Sequence, residues 1–201
     1  MITAQDKILH VANKLGLTSL QNMQASTGAV YDVDTELSGQ IFSQATRHAN
    51  PSVTNINENQ FEVNEALLVE TIAFYVKNNA GATLNFQQVY GSSAVIVFDL
   101  VIGNKRVMKD TPVFAAGMPY SFANAGTQTV PVGEETRASY VPRHQVYMEG
   151  AGVLIPPQVQ WFVQYTIFDL VTGAQIAASA ETSIGCYLFG TKVLLNFNTS
   201  I

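Results

Sequence analysis

Two stretches of this sequence, 66–76 (ALLVETIAFYV) and 94–102 (AVIVFDLVI), are apolar at nearly every position rather than at every second one. Successive side chains of a β-strand leave on opposite faces, so a strand of this kind needs cover on both sides. In an antiparallel sandwich one cover is the facing sheet. The other has to come from an arm, a long loop or a second subunit. Leu67, Val69 and Tyr75 on the first stretch and Val95, Val97 and Val101 on the second are the residues expected to meet that outer cover.

The rest of the chain beyond residue 60 alternates with period two, as half-buried strands do. Trp161, Val163, Tyr165 and Ile167 form one apolar row, although Phe162 and Phe168 interrupt the polar face between them. Ile176, Ala178, Ala180, Thr182, Ile184, Cys186 and Leu188 form a second row, and Val193, Leu195 and Phe197 a third. Leu84, Phe86 and Tyr90 suggest a shorter strand. Turn signals stand between these runs at 78–81 (NNAG), Gly103-Asn104, Thr172-Gly173 and Phe189-Gly190-Thr191. With weaker strands near 106–114 and 127–132 the total is about eight. The glycine- and proline-rich stretch 115–157 reads as long loops. These features predict an all-β, antiparallel sandwich domain over 60–201.

Before residue 60 the pattern differs. Thr3 and Asp6 have capping-box spacing, Ile8, Val11, Ala12 and Leu15 fall on one helical face, and Gly16 is a natural stop, which predicts a helix over 3–16. Ile8, Val11 and Leu15 are its expected contact residues. A helix this short is marginal alone and must dock. Residues 18–59 are rich in amides and hydroxyls and show little periodicity, so 1–59 is expected to be a helix followed by an extended arm, with room for one edge strand.

Charged residues are 12% of the chain, against about 25% in ordinary soluble domains, while Asn and Gln number 14 each. Low charge points to surface buried against other subunits. The net charge is −5, and Lys105, Arg106 and Lys109, beside the Gly103-Asn104 turn, are the one local basic group. Nucleic-acid binding needs a clustered positive field, and none is predicted. Cys186 is the only cysteine, which excludes an intrachain disulfide and makes it a small core residue. The N-terminal residues lack the apolar stretch of a signal peptide, and no run is long enough for a transmembrane helix, so synthesis in a cytoplasm without membrane insertion is expected.

Catalytic patterns are missing. His10, His48 and His144 stand apart, with no partner at metal-ligand spacing. Asp32-Val33-Asp34-Thr35-Glu36 resembles the start of a calcium loop, but Leu37 and Ser43 occupy the positions where that loop needs Gly and Glu. A calcium ion at a subunit contact stays open. No nucleophile elbow, phosphate loop, dinucleotide fingerprint or zinc-protease motif occurs. Glu134 and Glu135 are adjacent and would diverge in a strand. Asp99, inside an apolar strand, reads as an outward-facing residue, or as a register-fixing one if paired with a base. The sequence predicts no enzyme, no cofactor and no metal. Tyr120, Phe122, Tyr140 and Tyr147 in the loop-rich region would suit stacking on sugars, and Asn198-Thr199-Ser200 is a lone glycosylation sequon.

The run Phe61-Glu62-Val63-Asn64-Glu65-Ala66-Leu67-Leu68-Val69 entering Ile72-Ala73-Phe74-Tyr75-Val76, together with Pro156-Pro157-Gln158-Val159-Gln160-Trp161-Phe162-Val163, gives the chain an architecture that resembles the coat (capsid) proteins of icosahedral bacteriophages. The usual body of that family is a single jelly roll of about eight strands. The resemblance implies a structural subunit of a virion, made in the host cytoplasm, whose partners are copies of itself and other capsid proteins. It also implies that residues 1–59 bridge neighbours. The arm departs from the basic, genome-binding arms of many coat proteins, because Lys7, Lys14 and Arg47 face five acids. Contact with an internal membrane is left open. The alternative is a receptor- or carbohydrate-binding β-sandwich on a particle or cell surface, with its ligand at the 115–157 loops.

Overall fold

A computed structural model of the chain describes residues 3–18, 20, 23–34, 36–43, 54–56, 58–78, 83–84, 86–112 and 152–195. Two antiparallel sheets are packed face to face. Sheet A runs β1 (Gln24–Asp34), β10 (Thr182–Leu194) and β3 (Glu65–Asn78), with β4 (Thr83–Leu84) and β7 (Val153–Ile155) both paired to β3. Sheet B runs β2 (Gln40–Ile41), β8 (Trp161–Asp169), β5 (Ala94–Ile102) and β6 (Lys105–Pro112), with β9 (Gln175–Ile176) on β8. Setting aside the two-residue β4 and β9, the orders are β1-β10-β3-β7 and β2-β8-β5-β6. The antiparallel all-β sandwich predicted from the sequence is present, and this dealing of strands between its two sheets is the jelly-roll order.

The core lies between the sheets. Leu67, Val69, Ile72, Phe74 and Val76 of β3 meet Ile96, Phe98 and Leu100 of β5 and Trp161, Val163, Tyr165 and Ile167 of β8. Ile184, Cys186 and Leu188 of β10 complete it. Phe74 packs on Phe98 at a centroid distance of 5.3 Å, and Trp161 is held between Phe42 (4.6 Å) and Phe61 (5.6 Å).

A bulge in β3 decides which residues enter that core. Phe189 pairs with Thr71 and Gly190 with Val69, so Glu70 is an extra residue on β3. The inward phase therefore changes from odd positions (Leu67, Val69) to even ones (Ile72, Phe74, Val76). Gly190 makes the bulge possible: a Cβ there would lie 1.8 Å from the Leu68 carbonyl oxygen. The Phe189-Gly190-Thr191 signal, expected as a turn, is this bulge, and the two rows expected on either side of it join into β10. The preceding part of the second row separates instead, with Ile176 in β9 and the chain leaving the sheet before Thr182.

The expected strand through Leu84, Phe86 and Tyr90 is also corrected. Only Thr83–Leu84 is strand, and Phe86–Tyr90 forms a single-turn helix, α2. Phe86, Val89 and Tyr90 have i, i+3, i+4 spacing, which turns all three toward the inter-sheet core. The turns at Gly103 and Gly173 are present, each with positive φ (+62° and +69°), where glycine carries no steric cost. The strand expected over 127–132 lies outside the described residues.

The expected division at residue 59 does not separate two packing units. β1 pairs along its whole length with β10, and β2 pairs with β8. Val30, Ile41 and Phe42 are buried in the inter-sheet core. Amide-rich composition concealed β1 because its first half is an edge strand that buries little, with its buried positions concentrated in Val30 and 32–34.

The N-terminal helix α1 (Ala4–Leu15) has the predicted caps. Thr3 and Asp6 form a reciprocal capping box, and Gly16 closes the C-terminus in the left-handed conformation at φ +70°. The Thr3 hydrogen bonds hold the Asp6 carboxyl below its ordinary range.

Candidate functional site

The outer face of sheet A is apolar and α1 roofs one end of it. Val11, fully buried, packs with Ala66 and Leu68 of β3 and with Val193 and Leu195, while Leu15, Met23, Ala25 and Leu154 close the margin. Lys7 of α1 pairs with Glu70, the bulge residue, and both are hydrogen-bonded to the Thr191 hydroxyl. The bulge thus places an acid on the outer face at the point where the helix arrives. On its other side α1 and the segment after it leave Leu9, Leu17 and Leu20 exposed.

The far end of the same face carries an aromatic cluster. Tyr187 of β10 lies 4.8 Å from Tyr75 of β3, 5.4 Å from Tyr31 of β1 and 5.5 Å from Phe189, centroid to centroid. The Tyr75 ring occupies the space above Gly185, where a Cβ would be 2.1 Å from its Cζ. Its hydroxyl is buried and has no hydrogen-bond partner among the described residues. Burial pushes its pKa well above the ordinary tyrosine range. Lys77 stands over the same ring, 5.5 Å from its centroid.

On sheet B, Val95 (1% exposed) and Val101 (8%) share the outer face of β5 with half-buried Val97. They pair across to Phe168, Phe162 and Thr166, so the aromatic residues that interrupt the polar row of β8 serve this outer face. Asp99 sits among them. Its Oδ1 accepts the Asp110 N–H (2.6 Å) and its Oδ2 meets Arg106 at 3.1 Å, where β6 bulges and Asp110 takes φ +46°. Asp99 is therefore the paired, register-fixing residue, and its partner Arg106 comes from the basic group beside the turn.

The nine expected contact residues fall into three groups. Val11 and Leu15, with half-buried Ile8, belong to the helix that covers sheet A. Tyr75, Val95, Val97 and Val101 lie on outer faces, but Tyr75 (4% exposed), Val95 and Val101 are buried there, which leaves half-buried Val97 the most open of the four. Leu67 and Val69 are corrected: they face the inter-sheet core at 1% and 0% exposure and are not available for contact. The residues missed were Ala66 and Leu68. Reading β3 with one unbroken phase put Leu67 and Val69 on the face of Tyr75, and the extra residue at Glu70 reverses that. The polar pair Glu70-Thr71 in an otherwise apolar run was the available signal.

Two buried aspartates hold the crossing from sheet A to sheet B. Asp34 Oδ1 accepts the N–H groups of Glu36 (3.2 Å) and Ser38 (3.1 Å), and its Oδ2 accepts Gly39 N–H (2.8 Å) and the Tyr165 hydroxyl (3.0 Å). Asp32 accepts the Phe42 N–H at 2.7 Å. Burial, and then the Asp34 charge, raise the Tyr165 pKa. This carboxylate is ringed by donors, the arrangement of a loop clamp rather than of a calcium loop. Among the described residues no three His, Cys, Asp or Glu side chains form a metal-binding group. Cys186 is fully buried, which pushes its thiol pKa up and leaves it a core residue.

A cleft of about 530 Å³ opens at the β1 edge, between Gly28, Val30, Leu67 and Lys192 on one side and Asn55, Ile56, Glu58 and Gln60–Val63 with Gln158 on the other. Glu65 pairs with Lys192 at 2.9 Å. Glu58 and Glu62 are exposed at its rim. Asn55 stops the β1 edge above it by accepting Tyr31 N–H and donating to the Ala29 carbonyl, each at 2.8 Å. His48, His144, Glu134, Glu135, Tyr120, Phe122, Tyr140, Tyr147 and the 198–200 sequon lie outside the described residues. Among those described, no helix is long and apolar enough to cross a membrane. Compared with family models, curated proteins and solved structures, the chain matches none.

Proposed function

We propose that the chain is a structural subunit of a viral shell of the bacteriophage type, self-assembling through the outer faces of its jelly roll and through its N-terminal segment. The observation that carries this reading is the apolar outer surface. A free monomeric sandwich has a polar outer face on each sheet, whereas here sheet A needs a helix over Ala66 and Leu68, and the outer face of β5 carries Val95 and Val101, already buried, beside half-buried Val97. Leu9, Leu17 and Leu20, left exposed around that helix, extend the apolar surface toward a neighbour. The jelly-roll strand order supports the reading by analogy alone, because the same fold also serves lectins.

Assembly would proceed by burial of these surfaces. A standard interface of about 1,600 Å² supplies a large gross hydrophobic term, mostly offset by lost freedom, so many repeated contacts are needed for a closed shell. Copies of this chain and other shell proteins are the expected partners, in a virion assembled from protein made in the host cytoplasm. Light scattering over a hundredfold range of concentration tests this. A cooperative rise to particles of uniform size is expected, and a monomer at every concentration would contradict it. The second reading, a receptor- or carbohydrate-binding module, draws support from the Tyr31, Tyr75, Tyr187 and Phe189 cluster. Glycan-array binding lost on Tyr187→Ala would favour it.

A further inference from the structure

The acidic cleft at the β1 edge and the basic turn between β5 and β6 lie side by side at one end of the sandwich. Gln158 lines the cleft, and its N–H donates to the Phe61 carbonyl at 2.9 Å. Two residues further on, the Gln160 carbonyl accepts the Gly103 N–H at 2.7 Å. The turn therefore stands within about 10 Å of the cleft wall, because two residues span at most about 7 Å. Lys105, at the tip, is exposed and makes no ion pair among the described residues, whereas Arg106 and Lys109 are engaged by Asp99 and Asp110. Across the gap, Glu58 and Glu62 are exposed at the cleft rim and are not neutralised by Lys192, which is taken by Glu65. Each charge has an exposed apolar neighbour: Val107 (47% exposed) follows the turn and Val63 (64%) follows Glu62.

Adjacent patches of opposite sign have a specific geometric consequence. A two-fold axis passing between them brings the positive patch of one copy onto the negative patch of the other, twice. Head-to-tail contact would instead need the patches on opposite sides of the molecule. We propose that two copies of this chain pair about such an axis, the β5–β6 turn of each presenting Lys105 to Glu58 and Glu62 of the other, with Val107 and Val63 meeting beside them. The inference rests on the shell-subunit reading only for the partner being a second copy, and it names one contact that such a subunit makes. Strand addition is not its basis: β6 is bulged and lysine-bearing, features that discourage edge pairing, and Asn55 blocks the middle of the β1 edge.

The test is sedimentation velocity on the full chain and on the variants Lys105→Glu, Glu62→Lys and the double variant, with particle formation scored separately by electron microscopy. All substituted side chains are exposed, and circular dichroism checks that each variant keeps the fold. The wild type is expected to dimerise, more tightly at low ionic strength. Each single reversal should weaken the dimer by about tenfold or more, because every lost pair occurs twice, and the double variant should recover most of the loss. Singles that sediment like the wild type would overturn the proposal, as would a double variant no better than the singles. Particles that form equally well from all four proteins, without these dimer shifts, would overturn this contact while leaving the shell reading standing. A wild type that stays monomeric and builds no particles would remove both.

Discussion

The two apolar clusters among the described residues are built on opposite faces of the same strand and hold it in different ways. The inter-sheet core gathers residues from seven strands, including Trp161, Phe98 and Leu188, and is reached only by separating the sheets. The helix-covered cluster has five buried residues, Val11, Ala66, Leu68, Val193 and Leu195, and its roof is a twelve-residue helix joined to the body through Gly16. One is inseparable from the fold. The other is closed by a single helix, so its opening with the sandwich still folded is the local event expected here. The phase change at Glu70 links them, since it sends Leu67 and Val69 to one cluster and Ala66 and Leu68 to the other.

The largest effect is expected where both clusters depend on one residue. Gly190→Ala puts a methyl group against the Leu68 carbonyl at the bulge, and the variant should fail to accumulate as folded protein, or lose more than about 4 kcal/mol in a urea titration. Trp161→Ala should cost about 3–5 kcal/mol and lower the exchange protection of both sheets together. A loss of protection confined to β8 would break the claim that the core is one unit.

Val11→Ala should act differently. The lost burial is worth about 2 kcal/mol, and the signature is fast amide exchange in α1 with the strands still protected. Thr3→Ala removes the capping box and should cost about 1 kcal/mol, again seen only in α1. The smallest change is expected for Lys7→Met. The ion pair with Glu70 is partly exposed, so its contribution is at most about 1 kcal/mol and should shrink as salt is added. If Val11→Ala and Trp161→Ala gave the same exchange pattern, the two-tier comparison would be wrong.

Much of this was legible in the sequence because it depends on local pattern. The helix and its caps follow from Thr3, Asp6 and Gly16, and the turns from Gly103 and Gly173. What escaped depends on pairing across the chain. Nothing local shows that Gly190 lies over the Leu68 carbonyl, and so a bulge read as a turn and two strands as separate. β1 was legible only as room for one edge strand within 18–59, because an edge strand rich in Gln, Ser and Thr holds through its ladder to β10 rather than through burial. The outer cover that 66–76 demands was anticipated as an arm or neighbour. For sheet A a large part of it is the chain's own first helix, while Asp99 was explained only once Arg106 and Asp110 stood beside it.

The shell-subunit reading now puts its weight on a smaller segment, since deleting 1–59 would remove β1 and β2 while deleting 1–16 removes only the roof. The most direct measurement is negative-stain microscopy with mass measurement on the full chain and on residues 17–201, side by side. The account predicts closed, uniform particles from the full chain. From the shortened chain it predicts folded sandwiches that stay small or assemble irregularly. A full chain that remains monomeric at high concentration, or a shortened one that closes the same particles, would contradict it.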